Sequence, residues 1–302
     1  MAKTTISVAL CTYNGEKYLA EQLDSILSQE NPVDEIVVCD DGSTDNTQSI
    51  LKDYQSRFPD IFRIFNNDKN LGYVANFEKA LSLCTGDIIF LCDQDDIWYQ
   101  DKVSHTLNFF KNNPEIEVTA HDLDLFGTYN ENKTYWELMY FKEESQQYCQ
   151  SQILKLVMIV GNPFPGMGIS LRKKVLSKYL PFQKVDSRII HDYEIVIKSL
   201  QEGKFGLIHR VLGAYRKHEN QSIGFSKEKI KETDQVSKIK FQSEHFNSLI
   251  KYTKVFNLDP NISKEFQIKI KKEYREYLLQ LPIFQRIITH LKIKYYYKIL
   301  HF

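Results

Sequence analysis

The stretch DIIFLCDQDD, from Asp87 to Asp96, joins an apolar run to three carboxylates within four positions. An apolar run of strand-forming residues that ends in polar residues is typical of a buried β-strand. Ionised carboxylates this close repel one another unless a cation or hydrogen-bond donors meet them. Oxygen ligands of this kind suit Mg²⁺ or Mn²⁺, which also bind substrate phosphates. The alternative is a solvated acidic turn in which Asp96 caps a helix that begins near Trp98.

Two similar junctions lie upstream. Ile6 to Cys11 predicts a strand that is followed by the polar residues Thr12-Tyr13-Asn14, and Glu35 to Cys39 predicts a strand that ends at Asp40-Asp41-Gly42-Ser43. The segment between them, Glu16 to Gln29, carries apolar residues at helical spacing. Strands that alternate with helices predict parallel pairing in an α/β layered sheet. Ligands of such sheets bind outside the carboxyl ends of the strands, where all three polar clusters fall.

The pattern continues in both directions along the chain. Ile61 to Phe65 predicts a third strand, and Ser43 or Thr44 is expected to cap the helix before it. Further strands are predicted at Val118 to Ala120, Ile169 to Leu171 and Gly206 to His209.

Composition narrows the functional class. The 39 basic and 39 acidic residues give zero net charge, which argues against a dedicated nucleic-acid-binding protein. Five cysteines are present, none with CxxC spacing, so we expect reduced core thiols and a cytoplasmic protein. The apolar runs fall far short of the roughly 18 residues that a membrane span needs. Neither a GxGxxG fingerprint nor a phosphate loop with GK[ST] occurs, which counts against dehydrogenases and kinases.

The clusters TYN, DDGSTDNT and DQDD, each after a strand and in this order, resemble the nucleotide-binding half of family-2 inverting glycosyltransferases. The resemblance covers Ile6 to Ser104. The combination DQDDIW, HDY and YRKH is similar to the rhamnosyltransferase-like subset, which uses dTDP-L-rhamnose. The family implies a GT-A-type fold, with a layered, mostly parallel central sheet flanked by helices. Residues 1–225 would form the catalytic domain (1–105 binding nucleotide, 106–225 binding acceptor), and 226–302 a helical C-terminal extension.

The same resemblance implies a set of donor-binding residues at the strand ends. The residues that would bind the nucleotide sugar are Thr12, Tyr13, Asn14, Asp40, Asp41, Asp68, Asn70, Asp93 and Gln94. Asp95 would ligate the Mg²⁺ or Mn²⁺ that bridges the diphosphate, and His218 could complete that metal site.

The second half of the chain would supply the acceptor side. Gly166, in the segment NPFPGMG, resembles the glycine of the loop before the acceptor-site strand, and His191 lies beside the expected base. Inverting transfer needs one carboxylate to take the proton of the acceptor hydroxyl, and Asp192 fits that role. An aspartate that merely caps the following helix is the alternative.

These features predict transfer of a sugar from a nucleoside-diphosphate donor to a glycan or lipid-linked glycan hydroxyl. A nucleotidyltransferase also needs carboxylates and a metal, but it would carry a Gly/Lys-rich loop near the first strand, where TYNGEKY has one glycine. A non-catalytic sugar-nucleotide-binding protein would be favoured by a missing base, whereas Asp192 is present.

The C-terminal residues 283–302, IFQRIITHLKIKYYYKILHF, interleave apolar and aromatic residues with four cations. A basic helix of this composition can lie in a membrane interface, so we expect peripheral contact with the inner face of the plasma membrane. Packing of the same helix on the catalytic domain is the alternative.

Overall fold

The computed structural model describes residues 3–127, 133–139, 141, 147–184, 189–218 and 250–261, together with the single positions 264, 265, 268, 272 and 279. The chain divides into two units: residues 1–184 with 189–218, and residues 185–188 with 219–302. The predicted membrane-binding helix at 283–302 lies outside the described residues and stays a prediction. No helix in the described part of the chain is long and apolar enough to cross a membrane.

The first unit contains eight strands and eight α-helices within its described residues. The strands are β1 (Ile6–Thr12), β2 (Glu35–Asp40), β3 (Phe62–Asn66), β4 (Ile88–Cys92), β5 (Ile97–Trp98), β6 (Val118–Gly127), β7 (Ile169–Arg172) and β8 (Phe205–Lys217). The α-helices are α1 (Leu19–Leu27), α2 (Thr47–Arg57), α3 (Tyr73–Leu83), α4 (Lys102–Asn112), α5 (Tyr135–Leu138), α6 (Gln150–Val160), α7 (Leu176–Tyr179) and α8 (His191–Gln201). Two short 3₁₀ turns flank β7: Gly166–Gly168 before it and Lys173–Val175 after it.

All eight strands form one sheet in the order β3-β2-β1-β4-β7-β6-β8-β5. The first four strands pair in parallel, and β6 pairs in parallel with β8. The strand β7 is antiparallel to both β4 and β6, and β5 is antiparallel to β8. Every residue of β1, β2 and β4 is buried, as expected for parallel strands with both faces covered. The prediction of a GT-A-type α/β fold is confirmed.

One local prediction is wrong, and one alternative, the helix cap at Asp96, is excluded. Helix α2 begins at Thr47 and not after Ser43 or Thr44, because the Ser43 hydroxyl is bound 2.5 Å from Asp40 Oδ2. Asp96 does not cap a helix near Trp98: residues 97–98 form β5, held by pairing with β8, and α4 begins at Lys102. The prediction of core thiols is confirmed, since all five cysteines are free and all but Cys149 are buried.

Glu35 ties the strands together at the edge opposite their carboxyl ends. Its buried carboxylate accepts hydrogen bonds from the Ser7 hydroxyl and the Thr85 N–H and hydroxyl, and it pairs with Arg63 Nη1 at 2.8 Å. Burial raises the pKa of Glu35, but these bonds outweigh burial and lower it to about 2. Its partners belong to β1, β3 and the residues just before β4. This one carboxylate therefore fixes the alignment of these strands relative to one another.

Replacing Glu35→Gln should lower the free energy of unfolding at pH 7 by about 1–3 kcal/mol. Because the pKa of Glu35 is lower in the folded state, its ionised carboxylate stabilises the fold above pH 4.5, which is its pKa in the unfolded chain. This stabilisation is lost as the pH falls through about 2. The deficit of the variant, measured by urea denaturation, should therefore be smaller at pH 3 than at pH 7. The exposed Glu115→Gln change is the control and should have little effect at either pH. An equal deficit at both pH values would contradict the assignment.

Candidate active site

Asp40, at the carboxyl end of β2, organises the loop that follows it. Its fully buried carboxylate accepts the Thr12 hydroxyl at 2.8 Å, the Ser43 N–H at 3.0 Å and the Gln48 amide at 3.1 Å. These bonds come from β1, from the loop and from α2. The structure thus brings together Thr12 and Asp40, two predicted donor-binding residues, and their side chains are hydrogen-bonded to each other.

Asp41 holds the neighbouring loop. Its carboxylate accepts the Asn67 amide at 2.8 Å and the backbone N–H groups of Leu71 at 2.7 Å and Gly72 at 2.9 Å. Asp68 and Asn70 lie exposed on the segment that Asp41 holds. Asp41 therefore shapes the loop between β3 and α3, a role that consecutive aspartates in a sequence do not reveal.

Asn14 and Gln94 fix the loop after β1. The Asn14 side chain accepts the Thr44 N–H at 2.8 Å, in a left-handed backbone conformation with φ of 48°. The Gln94 amide accepts the Tyr13 N–H at 2.8 Å and donates to the Tyr13 carbonyl at 3.0 Å. A methyl group at Gly15 would lie 2.3 Å from Gln94 Oε1, so this arrangement requires glycine. The Tyr13 ring is left 47% exposed at the sheet edge.

Three aspartates follow β4 in different surroundings. Asp93 is half-buried. Its burial, together with the nearby carboxylates of Asp95 and Asp192, raises the pKa of Asp93 to about 8. Asp96 is buried: its Oδ1 accepts the Arg216 N–H at 2.9 Å, and its Oδ2 has no partner among the described residues. Burial, with Asp95 and Asp93, also raises the pKa of Asp96 well above its usual value.

Asp95 and His218 come together from the ends of β4 and β8. Their side chains are 19% and 13% exposed, and His218 Nε2 lies 2.8 Å from Asp95 Oδ2. The carboxylate oxygen suits Mn²⁺ or Mg²⁺, and the imidazole nitrogen beside it favours the transition metal Mn²⁺. Within the described residues no group of three or more His, Cys, Asp or Glu side chains is placed to hold a metal ion. The pair thus fits a cation that takes further ligands from phosphate and water.

Arg216 braces this pair from β8. Its Nε donates to the Asp95 carbonyl at 2.7 Å, and its guanidinium lies 4.4 Å from the Tyr18 ring centroid and 4.3 Å from that of Phe126. A terminal nitrogen also pairs with Glu21. Arg216 precedes His218 by two residues, and its guanidinium is committed to positioning Asp95.

Asp192 stands in the first turn of α8 and is 8% exposed. Its carboxylate accepts the N–H groups of Tyr193, at 2.5 Å, and of Gly166. Burial outweighs these bonds and raises the pKa of Asp192 to about 7. Asp192 is thus an enclosed carboxylate whose proton affinity suits exchange near neutral pH.

Gly166 is the point where the donor and acceptor sides meet. A methyl group at this position would lie 3.4 Å from His191 Nε2, 3.7 Å from Asp93 Oδ2 and 3.9 Å from Asp192 Cβ. His191 stacks on Phe77, with ring centroids 4.0 Å apart, and burial lowers its pKa to about 3. A neutral imidazole and two carboxylates therefore surround the space that glycine leaves free.

A sequence model of glycosyl transferase family 2 matches residues 7–175, more than half of the chain. The chain belongs to glycosyl transferase family 2.

Curated relatives of this family-2 chain include the putative glycosyltransferase EpsE of Bacillus subtilis, 32% identical over 66% of this chain and 67% of that protein. The dTDP-rhamnosyl transferase RfbG of Shigella flexneri is 27% identical over 71% of this chain and 73% of its own length. An uncharacterized glycosyltransferase of Nostoc is 29% identical over 70% of this chain. The match spans 65% of the length of the Nostoc protein and 34% of that of three mycobacterial relatives.

Solved structures share the fold of this family-2 chain. Staphylococcus aureus TarS 1–349 in complex with UDP-GlcNAc superposes with a TM-score of 0.59 at 17% identity, covering 93% of this chain and 77% of that one. The mannosyltransferase PcManGT of Pyrobaculum calidifontis, in complex with GDP-Man and Mn²⁺, gives 0.57 at 14% identity, covering 97% and 81%.

The bridge between Gln94 and Tyr13 generates a prediction for this family-2 site. Gln94→Ala removes two hydrogen bonds, and Gly15→Ala should displace the same amide, so each should weaken UDP or dTDP binding by about 3–10-fold. Because both act on one contact, the double variant should bind no more weakly than the worse single variant. Isothermal titration calorimetry measures all three, and additive losses would show that the two positions act independently.

Proposed function

We propose that this chain transfers a sugar from a nucleoside-diphosphate sugar to a hydroxyl group of a glycan or lipid-linked glycan, with inversion at the anomeric carbon. The observation that carries the proposal is the convergence at Gly166 of a donor-side carboxylate, Asp93, with an enclosed acceptor-side carboxylate, Asp192. Family membership supports glycosyl transfer as the reaction class.

Asp192 would act as the general base. As the acceptor oxygen attacks the anomeric carbon, Asp192 takes the hydroxyl proton, the new carbon–oxygen bond forms, and the bond to the diphosphate breaks with its electron pair leaving on the nucleotide. One base on the acceptor side serves a single displacement, which inverts the anomeric centre. A pKa of about 7 leaves an ionised fraction at neutral pH and keeps the carboxylate basic enough to hold the proton.

The donor would lie along the carboxyl ends of β1, β2 and β4. The exposed ring of Tyr13 would stack on the base, and Asp93 would bind the ribose or the sugar. Thr12, Asn14, Asp40, Asp41 and Gln94 would act mainly through the loops that they hold in place, with Asp68 and Asn70 on the exposed rim. A preformed site of this kind binds without first ordering its loops.

Asp95 and His218 would hold Mg²⁺ or Mn²⁺. When bound, such a cation offsets the charge of the departing diphosphate. Arg216 keeps the Asp95 backbone in place, and Tyr18 packs against the His218 ring at 4.9 Å between centroids, so both ligands are oriented before a cation arrives. The structurally similar mannosyltransferase was solved in complex with Mn²⁺, which supports this assignment by analogy of fold.

We propose dTDP-L-rhamnose as the donor. Support comes from the 27% identity to a protein named dTDP-rhamnosyl transferase, over 71% of this chain. The structurally similar proteins were solved with UDP-GlcNAc and GDP-Man, so a donor panel should include all three.

Replacing Asp192→Asn should cut the transfer rate by about 10²–10⁴-fold, the range for loss of a general base. The affinity for UDP or dTDP should stay unchanged, because the proton comes from the acceptor. The wild-type rate should rise with pH through about 7, since only the ionised carboxylate accepts a proton, and the residual rate of the variant should lack that rise. A parallel collapse of nucleotide affinity would instead make Asp192 a donor ligand.

Replacing Asp95→Asn should weaken Mn²⁺ binding in the presence of dTDP by at least about tenfold, because it removes the anionic member of the ligand pair. Electron paramagnetic resonance of free Mn²⁺ measures this directly, without turnover. The exposed Asp60→Asn change, with the same loss of charge, is the control. Equal Mn²⁺ affinity in the two variants would remove Asp95 from the metal site.

A further inference from the structure

Lys102, the first residue of α4, is completely buried. Lysine is rarely buried without a partner, because an ammonium group loses several kcal/mol of hydration on leaving water. Lys111, in the last turn of the same helix, is exposed, as is usual for this residue type. The burial of Lys102 therefore calls for interactions that hold a cation at this position.

The ammonium of Lys102 has three kinds of partner. Its Nζ donates to the Met167 carbonyl at 2.6 Å and lies 4.0 Å from the Trp98 ring centroid. Asp93 and Asp96 act on it electrostatically from the end of β4. Burial lowers the pKa of Lys102 to about 7, although these acidic groups oppose the shift, and its amine can donate to the Met167 carbonyl in either protonation state.

That carbonyl belongs to the turn Gly166–Gly168, on which both halves of the site converge. The Gly166 N–H binds the Asp192 carboxylate, and the Gly168 N–H closes the turn on the Pro165 carbonyl at 2.8 Å. A methyl group at Gly166 would lie 3.7 Å from Asp93 Oδ2 and 3.9 Å from Asp192 Cβ, so both carboxylate side chains pack against this turn. The contact between Lys102 and Met167 therefore restrains the turn to which Asp192 is bound.

We propose that Lys102 is a positioning residue for glycosyl transfer: by anchoring the Met167 carbonyl, it fixes the Gly166–Gly168 turn and thereby the placement of Asp192 against the donor carboxylates. This inference rests on the proposed function. Lys102 itself contacts neither reactant in this role, so its effect should fall on the chemical step and not on donor binding.

The test compares Lys102→Met, which keeps the length of the side chain but loses the donor, with Lys102→Gln, which keeps an N–H donor of similar volume. Turnover would be measured with dTDP-L-rhamnose, UDP-GlcNAc and GDP-Man and a set of alkyl glycoside acceptors, at a temperature at which circular dichroism shows the variants folded. We expect kcat to fall about 10–10²-fold for the methionine variant, the scale of a displacement near 1 Å, and less for the glutamine variant. Dissociation constants for UDP and dTDP should not change.

A second readout separates positioning from stability. Losing the Gly166 N–H bond would raise the pKa of Asp192, so the rise of kcat with pH should move to higher pH in the methionine variant. None of the other groups that face Asp192 is replaced: Asp93 at the end of β4, Tyr135 on α5 and the neighbouring His191 on α8. Both variants remove the charge of Lys102 that acts on Asp93, so the difference between the methionine and glutamine variants isolates the loss of the N–H donor. Lys111→Met, the same change at the exposed end of α4, should match the wild type in both measurements.

Several results would overturn the inference. A normal kcat in the methionine variant would by itself contradict the inference. So would a loss of UDP and dTDP affinity in proportion to the loss of kcat, because the substitution would then act through the donor-binding carboxylates. Failure of both variants to fold would assign Lys102 to maintenance of the core. Absence of transfer by the wild-type protein with every donor would overturn the proposed function, and this inference with it.

Discussion

Repulsion between carboxylates at one edge of the sheet is the constraint on which the rest of the structure depends. The group comprises Asp93, Asp95, Asp96 and Asp192, the first three from one strand end and the last from the start of α8. Burial and mutual repulsion raise the pKa of Asp93 and Asp96. Lys102 acts electrostatically on Asp93 and Asp96, and His218 Nε2 lies 2.8 Å from Asp95 Oδ2. The proposed divalent cation and the donor diphosphate would supply further charge compensation.

The sequence predicted the location of this edge because the physics involved is local. An apolar run such as Ile88 to Cys92 is typical of a buried strand, and alternation with helices favours parallel pairing. The polar residues after each strand are then expected at one edge of the sheet. The structure places Thr12 against Asp40 as that argument requires. The pairing of Asp95 with His218, 123 positions apart, was predictable only from the family resemblance, because no local pattern relates them.

Features that depend on tertiary packing could not be predicted from the sequence. A lysine in the first turn of an amphipathic helix looks solvated, and only the packing of α4 against the Gly166–Gly168 turn buries Lys102. No local pattern shows that the Arg216 guanidinium lies against the rings of Tyr18 and Phe126. Ser43 or Thr44 was predicted to cap a helix, whereas the Ser43 hydroxyl binds Asp40 and α2 begins at Thr47.

The stereochemistry of transfer tests the central claim most directly. Proton NMR of the glycoside formed from an anomerically pure nucleotide sugar reports the configuration at the anomeric carbon. A single displacement assisted by one base, Asp192, predicts a product of inverted configuration. A product that retains the configuration of the donor would require a second displacement and would contradict the account.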